Sequence, residues 1–162
     1  MLIEDATEAD VPEILAIYND VIATSTAIFS DRPVTAEQRL EWLRSRLALG
    51  QPVLVARESG EVVGFASYGD FRAWPGYAST VEHTVHVTAA RRRRGIGRRL
   101  VEEILDRAQT AGKHVVVAGI DAENEASLRL HERLGFERVG HMPEVARKFD
   151  RWVDLVLMQI RL

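Results

Sequence analysis

Glu82, His83, Thr84 and His86 are interleaved with Val81, Val85 and Val87, and the run leads into Arg91, Arg92, Arg93, Arg94, Gly95, Ile96, Gly97, Arg98 and Arg99. A carboxylate inside a β-branched run is a partly exposed strand residue, half of an ion pair, or a base whose burial raises its proton affinity. Only the last does chemistry: it can take a proton from an ammonium group, directly or through a water. Strand periodicity puts Glu82 on the side of Thr84 and His86, opposite Val81, Val85 and Val87. Leu100, Val101, Ile104, Leu105 and Ala108 then recur at helical spacing, so the segment reads strand, turn, helix. At the turn, Gly95 and Gly97 let the backbone approach a ligand, and the free N–H groups of the helix start form an anion site strengthened by its dipole. A polyphosphate suits such a site; a solvated basic loop is the alternative.

Several classes of function fall away. A Walker loop needs Gly-Lys-Ser/Thr after its second glycine, and the dinucleotide fingerprint needs three glycines spaced GxGxxG; neither is here. Net charge is −3 over 162 residues, so the arginine cluster is local, which argues against nonspecific nucleic-acid binding. The absence of cysteine removes disulfides, thiolate metal sites and a cysteine-borne acyl intermediate. The histidines lack metal-ligand spacing such as HExxH, and no metal is expected. No run approaches transmembrane length and the first residues lack a secretory signal pattern, so a cytoplasmic protein with no membrane association is expected.

The elements that must position these residues follow in order, within one expected domain spanning 1–162. Leu2–Glu4 reads as a strand. Thr7 to Asp10 reads as a cap before the apolar positions Ile14, Leu15, Ile17, Tyr18, Val21 and Ile22. A loop through Phe29 precedes a capping box, Thr35 to Gln38, that opens a second helix ended by Gly50 and Pro52. Val53–Arg57 and Val62–Tyr68 are expected to form a hairpin, and Pro75 and Gly76 break the segment that follows. After the central strand and helix, Gly112 caps and Val115–Ile120 is a buried strand; a helix from Asn124 to Leu134 and strands at Glu137–Met142 and Trp152–Ile160 complete the chain. The last strand alternates Val153, Leu155 and Leu157 against Asp154, Val156 and Met158 only loosely. The order βααβββαβαββ predicts an α/β (α+β) domain with a mixed sheet, its central parallel pair splaying at the Val87/Arg92 turn.

Arg92-Arg93-Arg94-Gly95-Ile96-Gly97 resembles the Q/R-x-x-G-x-G/A signature of the GNAT-superfamily N-acetyltransferases. Asn124-Glu-Ala-Ser-Leu-Arg-Leu-His-Glu-Arg-Leu-Gly-Phe136 resembles their second marker, an Asn, a small residue three later, an aromatic or His seven later, then Gly-Phe. Residues 16–20, the Thr-rich loop with Phe29, Tyr68 to Arg72, Thr80 to Val87 and His131 are similar to the phosphinothricin and methionine sulfoximine (sulfone) N-acetyltransferase branch. The chain departs from that branch in its four consecutive arginines, which replace a mixed Gln/Arg/Lys turn.

The resemblance implies a mixed twisted sheet, splayed at its central parallel strands and flanked by helices, and acetyl transfer from acetyl-CoA to the α-amine of a small amino-acid analogue in a ternary complex. It implies Glu82 as general base, and His131 near the thioester sulfur as proton donor or substrate-orienting residue; a satisfied core histidine is the alternative. Backbone of Val85, His86 and Val87 would meet the acetyl group and pantetheine, Arg93, Arg94, Gly95, Ile96, Gly97 and Arg98 the pyrophosphate, and Asn124 the pantetheine arm. For the acceptor, Arg72 would pair with the α-carboxylate, Phe29, Ala73 and Trp74 would wall the pocket, and Glu82, His83 and Thr84 would line the other side, unless the loop residues among them merely face solvent. A C-terminal loop, Glu144 to Phe149, is expected near a homodimer interface. Rival expectations are a protein N-terminal, ribosomal-protein or polyamine acetyltransferase, and a noncatalytic phosphate- or nucleic-acid-binding domain.

Overall fold

Seven strands form one mixed sheet in the order β1-β2-β3-β4-β5-β7-β6. The computed structural model describes residues 1–162. The strands are β1 (Leu2–Asp5), β2 (Val53–Glu58), β3 (Glu61–Asp70), β4 (Thr80–Val87), β5 (Val115–Asp121), β6 (Glu137–Lys148) and β7 (Arg151–Arg161). The helices are α1 (Val11–Thr24), α2 (Ala36–Ala48), α3 (Ile96–Thr110) and α4 (Glu125–Arg133). None of them is long and apolar enough to cross a membrane.

Strand alternation divides the core between two faces. On one, Val11, Ile14 and Ile17 of α1 and Leu43 of α2 cover Val53, Val55, Val62 and Phe65. On the other, Leu100, Val101, Ile104 and Ala108 of α3 cover Leu54, Ala56, Ala66, Val81, Val116 and Met158. The capping box expected before α2 is present: Gln38 N–H donates to Thr35 Oγ1 at 3.2 Å and Thr35 N–H to Gln38 Oε1 at 2.9 Å. Thr7 is likewise boxed with Asp10, but around a 3-10 turn at Glu8–Asp10, with α1 starting at Val11.

Three expectations are corrected. The parallel ladder between β4 and β5 has only the rungs Thr80↔Val115, Val81↔Val116 and Glu82↔Val117, so the strands part directly after Glu82, not at the Val87/Arg92 turn. Residues 144–148 are not a loop: β6 continues to Lys148, paired with β7 at Ala146↔Val153, Arg147↔Trp152 and Lys148↔Arg151 beyond an irregularity at Met142/Ala146. Only Phe149 and Asp150, both at positive φ, form the turn, as a tight two-residue hairpin requires. In β7, Val153 is buried as the alternation suggests, but Val156 and Met158 are buried with it, while Leu155 and Leu157 are half-buried.

Candidate active site

Where β4 and β5 separate, alternate backbone N–H and C=O groups of each strand lose their sheet partner and face a gap. The gap is a cleft of about 260 Å³, walled by residues 83–86 of β4 and 118–121 of β5. Tyr18 of α1, Ala27 and Ile28 from the α1–α2 connection, and Asn124, Ser127 and His131 at α4 complete it.

The roof is tied down at two points. Lys148, 2% exposed, donates Nζ to Ser25 O at 2.5 Å and Ile28 O at 2.8 Å. Thr26 donates its hydroxyl to Asp121, the buried last residue of β5. Neither lysine nor aspartate was singled out from the sequence. Lys148 falls in the stretch expected to be a loop, and burial pushes its ammonium below the usual lysine range.

Successive residues of β4 serve opposite faces. His83 points to the α4 side, with Nε2 3.0 Å from Nε2 of His131 and Phe136 packed against both rings. The tautomers follow from the partners. His131 Nδ1 lies 2.7 Å from Ser127 O, which can only accept, so Nδ1 carries hydrogen and Nε2 of neutral His131 is an acceptor. His83 therefore donates from Nε2, leaving its buried Nδ1 as the unpartnered lone pair. Burial, then the facing His131, pushes the His83 pKa down to about 3, and burial lowers that of His131. His83 was expected beside Glu82 and Thr84; the strand period puts it on the other face.

Glu82, on the α1/α2 side, is half-buried, and its Oε1 lies close to Gly119 of β5. Burial raises its pKa, partly offset by the charge of Arg72. His86 shares its face and packs against Tyr18 and Phe65, with ring centroids 6.0 and 5.4 Å away. Burial, followed by the charges of Arg39 and Arg92, pushes its pKa down to about 4. Arg39, also unforeseen, lies buried with its guanidinium 3.7 Å from the Tyr18 ring and 4.5 Å from that of Trp42.

At the far end of β4, Gly95 at φ 79° caps α3, and Arg93 also takes positive φ, 62°. The first backbone bond into the helix is from Arg99 N–H to Gly95 O, so the amides of Ile96, Gly97 and Arg98 have no helical carbonyl to reach. Arg93, Arg94 and Arg98 are exposed around them, Arg98 paired with Glu102 at 2.8 Å. Donors and charge here fit a pyrophosphate. Asn124 Oδ1 caps α4 by accepting from Ser127 N–H at 3.1 Å, which holds the side chain in the cleft wall.

The expected acceptor wall is not assembled. Trp74 is 76% exposed, Ala73 is exposed, and Phe29 is half-buried outside the cleft lining. The 3-10 turn at Pro75–Tyr77 carries this segment outward, with Arg72 stacked 4.5 Å from the Phe71 ring. Thr84, Val85 and His86 do line the cleft; Val87 lies beyond it toward the arginine turn.

A strand pair splayed over a cleft, with an anion-binding helix start at one end and a carboxylate of raised pKa near the other, is the arrangement of an acyl-transfer enzyme that uses a phosphate-bearing acyl carrier. The Acetyltransferase (GNAT) family profile matches residues 14–136, and the chain belongs to that family of N-acetyltransferases. It is 48% identical over 161 residues to the L-methionine sulfoximine/L-methionine sulfone acetyltransferase of Pseudomonas aeruginosa, covering 99% of this chain and 94% of that one. The crystal structure of a ribosomal-protein-alanine N-acetyltransferase from Brucella melitensis superposes with TM-score 0.99 at 46% identity, covering both chains fully (100%). An acetyltransferase of Salmonella typhimurium, solved with its cofactor acetyl-CoA, superposes with TM-score 0.98 at 47% identity, over 100% of this chain and 94% of that one. The family and fold expected from the two sequence markers, and the branch expected from residues 16–20, the Phe29 loop, 68–72, 80–87 and His131, are thus correct.

Proposed function

We propose that the protein moves the acetyl group of acetyl-CoA to the α-amine of a small free amino-acid analogue with a tetrahedral polar side-chain end, of the methionine sulfone, methionine sulfoximine and phosphinothricin class. The observation that carries this reading is the cleft at the β4/β5 parting, with the Glu82 carboxylate against one of its wall residues, Gly119. The name of the Pseudomonas relative supports the acceptor class.

Each step is assigned to residues of the chain. Amides of Ile96, Gly97 and Arg98 and the side chains of Arg93, Arg94 and Arg98 hold the pyrophosphate, and Asn124 faces the pantetheine arm. Unpaired backbone N–H groups of β4 around Val85, His86 and Val87 polarise the acetyl carbonyl. Glu82, its proton affinity raised by burial, takes a proton from the acceptor ammonium, and the freed amine attacks directly. Arg72, close enough for its charge to act on Glu82, pairs with the acceptor carboxylate. The hydrogen bonds of His131 favour an orienting role over proton donation, since both ring nitrogens are already engaged.

A peptide N-terminus is the rival acceptor, given the name of the Brucella protein. The roof tied by Lys148 and Asp121 favours a compact acceptor over a chain lying in an open groove. The exposed Val139, Met142, Val145, Phe149 and Trp152 on the β6–β7 hairpin support a homodimer, which light scattering at micromolar concentration would test. The acceptor is tested by following thiol release from acetyl-CoA with methionine sulfone, methionine sulfoximine, phosphinothricin, an N-terminal alanine peptide and a polyamine. Turnover with the first three is expected. Turnover with the peptide or polyamine alone would discard the acceptor class and leave the acetyltransferase standing.

A further inference from the structure

Glu82 has a glycine near it on each neighbouring strand: Gly69 is its partner across the antiparallel β3–β4 ladder, and Gly119 lies two residues past its parallel partner Val117 on β5. The two gaps are filled differently. A Cβ at Gly69 would coincide with the guanidinium of Arg46, which reaches in from α2 and donates Nη1 to Gln51 Oε1 at 2.8 Å. That side is closed to Glu82. A Cβ at Gly119 would stand 3.0 Å from Glu82 Oε1 and 3.4 Å from Leu155 Cδ1. The second is an ordinary contact; the first is tighter than side chains normally hold, so the carboxylate occupies the notch left by the missing side chain.

The backbone does not ask for glycine here. Gly119 is not one of the positive-φ residues, and a glycine inside a strand weakens it. What Gly119 supplies is space, at the point where the parallel strands have just parted and in the wall of the cleft itself.

We propose that Gly119 is a positioning residue for the acetyl transfer: its notch seats the Glu82 carboxylate against the cleft wall, where an acceptor amine can reach it. The inference rests on the reading of Glu82 as general base. A methyl at 119 makes the carboxylate give way by a few tenths of an ångström. Since a misplacement of about 1 Å costs up to roughly 100-fold, a shift of this size lowers turnover by roughly 3- to 10-fold.

A double-mutant cycle on the full chain tests it, with kcat and both KM values measured for wild type, Gly119→Ala, Glu82→Gln and the pair. Thermal melts establish that each variant folds. The expected result is a kcat about 3- to 10-fold lower in Gly119→Ala with the KM for acetyl-CoA changed less than about twofold, and no further loss when the substitution is added to Glu82→Gln. Normal turnover in Glu82→Gln would remove the base reading and the inference with it. A large loss in Glu82→Gln, accompanied either by no loss in Gly119→Ala or by a Gly119→Ala loss that persists in the double variant, would overturn the inference and leave the base in place. A second arm uses Glu82→Asp, whose shorter side chain does not reach the notch: adding Gly119→Ala to it should have little effect on kcat, and a full-sized loss there overturns the proposal.

Discussion

The neutral state of His83 predicts an acid sensitivity that can be assigned to one side chain. In the folded protein the ring is 4% exposed, faces a second imidazole, and has its pKa pushed from 6.5 down to about 3. In the unfolded chain it takes a proton near pH 6.5. The unfolded state therefore binds the extra proton between those values, and stability rises with pH across that window. His83 leaves stability untouched above about pH 7 and draws it down as the solution is acidified through 6.5 toward 3. At pH 5 the unfolded ring is about 1.5 units below its pKa, which at ~1.36 kcal/mol per unit is a loss of about 2 kcal/mol. The figure depends little on the folded value, because any folded pKa below about 4 gives nearly the same result at pH 5. His83→Gln removes the titration while keeping an amide able to donate to His131 Nε2. Urea unfolding at pH 7.5 and 5.0 reads the effect: wild type should lose about 2 kcal/mol more than His83→Gln on acidification. His86, displaced in the same direction, remains in both proteins and cancels. Parallel stability changes in the two proteins would refute the assignment of a buried neutral ring at 83.

Three further outcomes are expected. Glu82→Gln should lower acetylation by roughly 100- to 10,000-fold and abolish an acidic limb that, because burial raises the Glu82 pKa, lies above the ordinary carboxylate value of about 4.3; a wild-type limb that survives in the variant belongs to another group. Lys148→Met leaves the Ser25 and Ile28 carbonyls without their donor, and should lower stability by about 2–4 kcal/mol in urea titration while raising the acceptor KM more than the acetyl-CoA KM; equal changes in both would dissociate the roof from acceptor binding. Gly95→Ala forces a side chain into φ 79°, so about 1–2 kcal/mol of stability should be lost and the acetyl-CoA KM should rise, and an unchanged KM would separate this cap from the cosubstrate.

How far the sequence carries depends on whether the information is local. The cap at Thr7, the capping box at Thr35 and the strand–turn–helix at β4 and α3 are written in residues a few positions apart, and all seven strands and four helices were legible that way. The β4/β5 parting is not local. Hydrophobic alternation marks Thr80 to Val87 and Val115 to Asp121 as strands, but nothing in either says that their ladder ends after three rungs. The strand expected to end at Met142 runs on past Pro143, which lacks a ladder donor, and Glu144, which takes φ 51°. On the edge strand β6 the sheet tolerates both, and pairing with β7 resumes at Ala146. The error mattered, since it hid Lys148. Burial of a lysine against two carbonyls 123 and 120 residues away in the chain has no signature in its neighbours. Trp74 fails in the other direction: an aromatic beside a proposed clamp looks like a pocket wall, and a Pro-Gly turn carries it into solvent.

The early parting of β4 from β5 also explains why one strand can hold groups of such different character. In a continuous sheet, His83 and Glu82 would lie on opposite faces and share no ligand, because the neighbouring strand would stand between them. Beyond the Glu82↔Val117 rung β4 has no partner on that side, so residues 83–86, which alternate between its two faces, line one gap, and Glu82 stands at its edge. From the α4 face, a neutral imidazole pair closes the wall, with the His83 proton directed to His131 and the His131 proton to Ser127 O. From the α1/α2 face comes a carboxylate whose proton affinity is raised by burial. A pair with no charge to offer and a carboxylate able to gain a proton suit the two ends of the proposed transfer, in which the acyl carrier would run beside the first and the ammonium of the acceptor would meet the second. The division also requires the opposing strand to be thin at that point, and there β5 carries Ala118 and Gly119. The small residues opposite β4 are thus as much part of the arrangement as the titratable ones upon it.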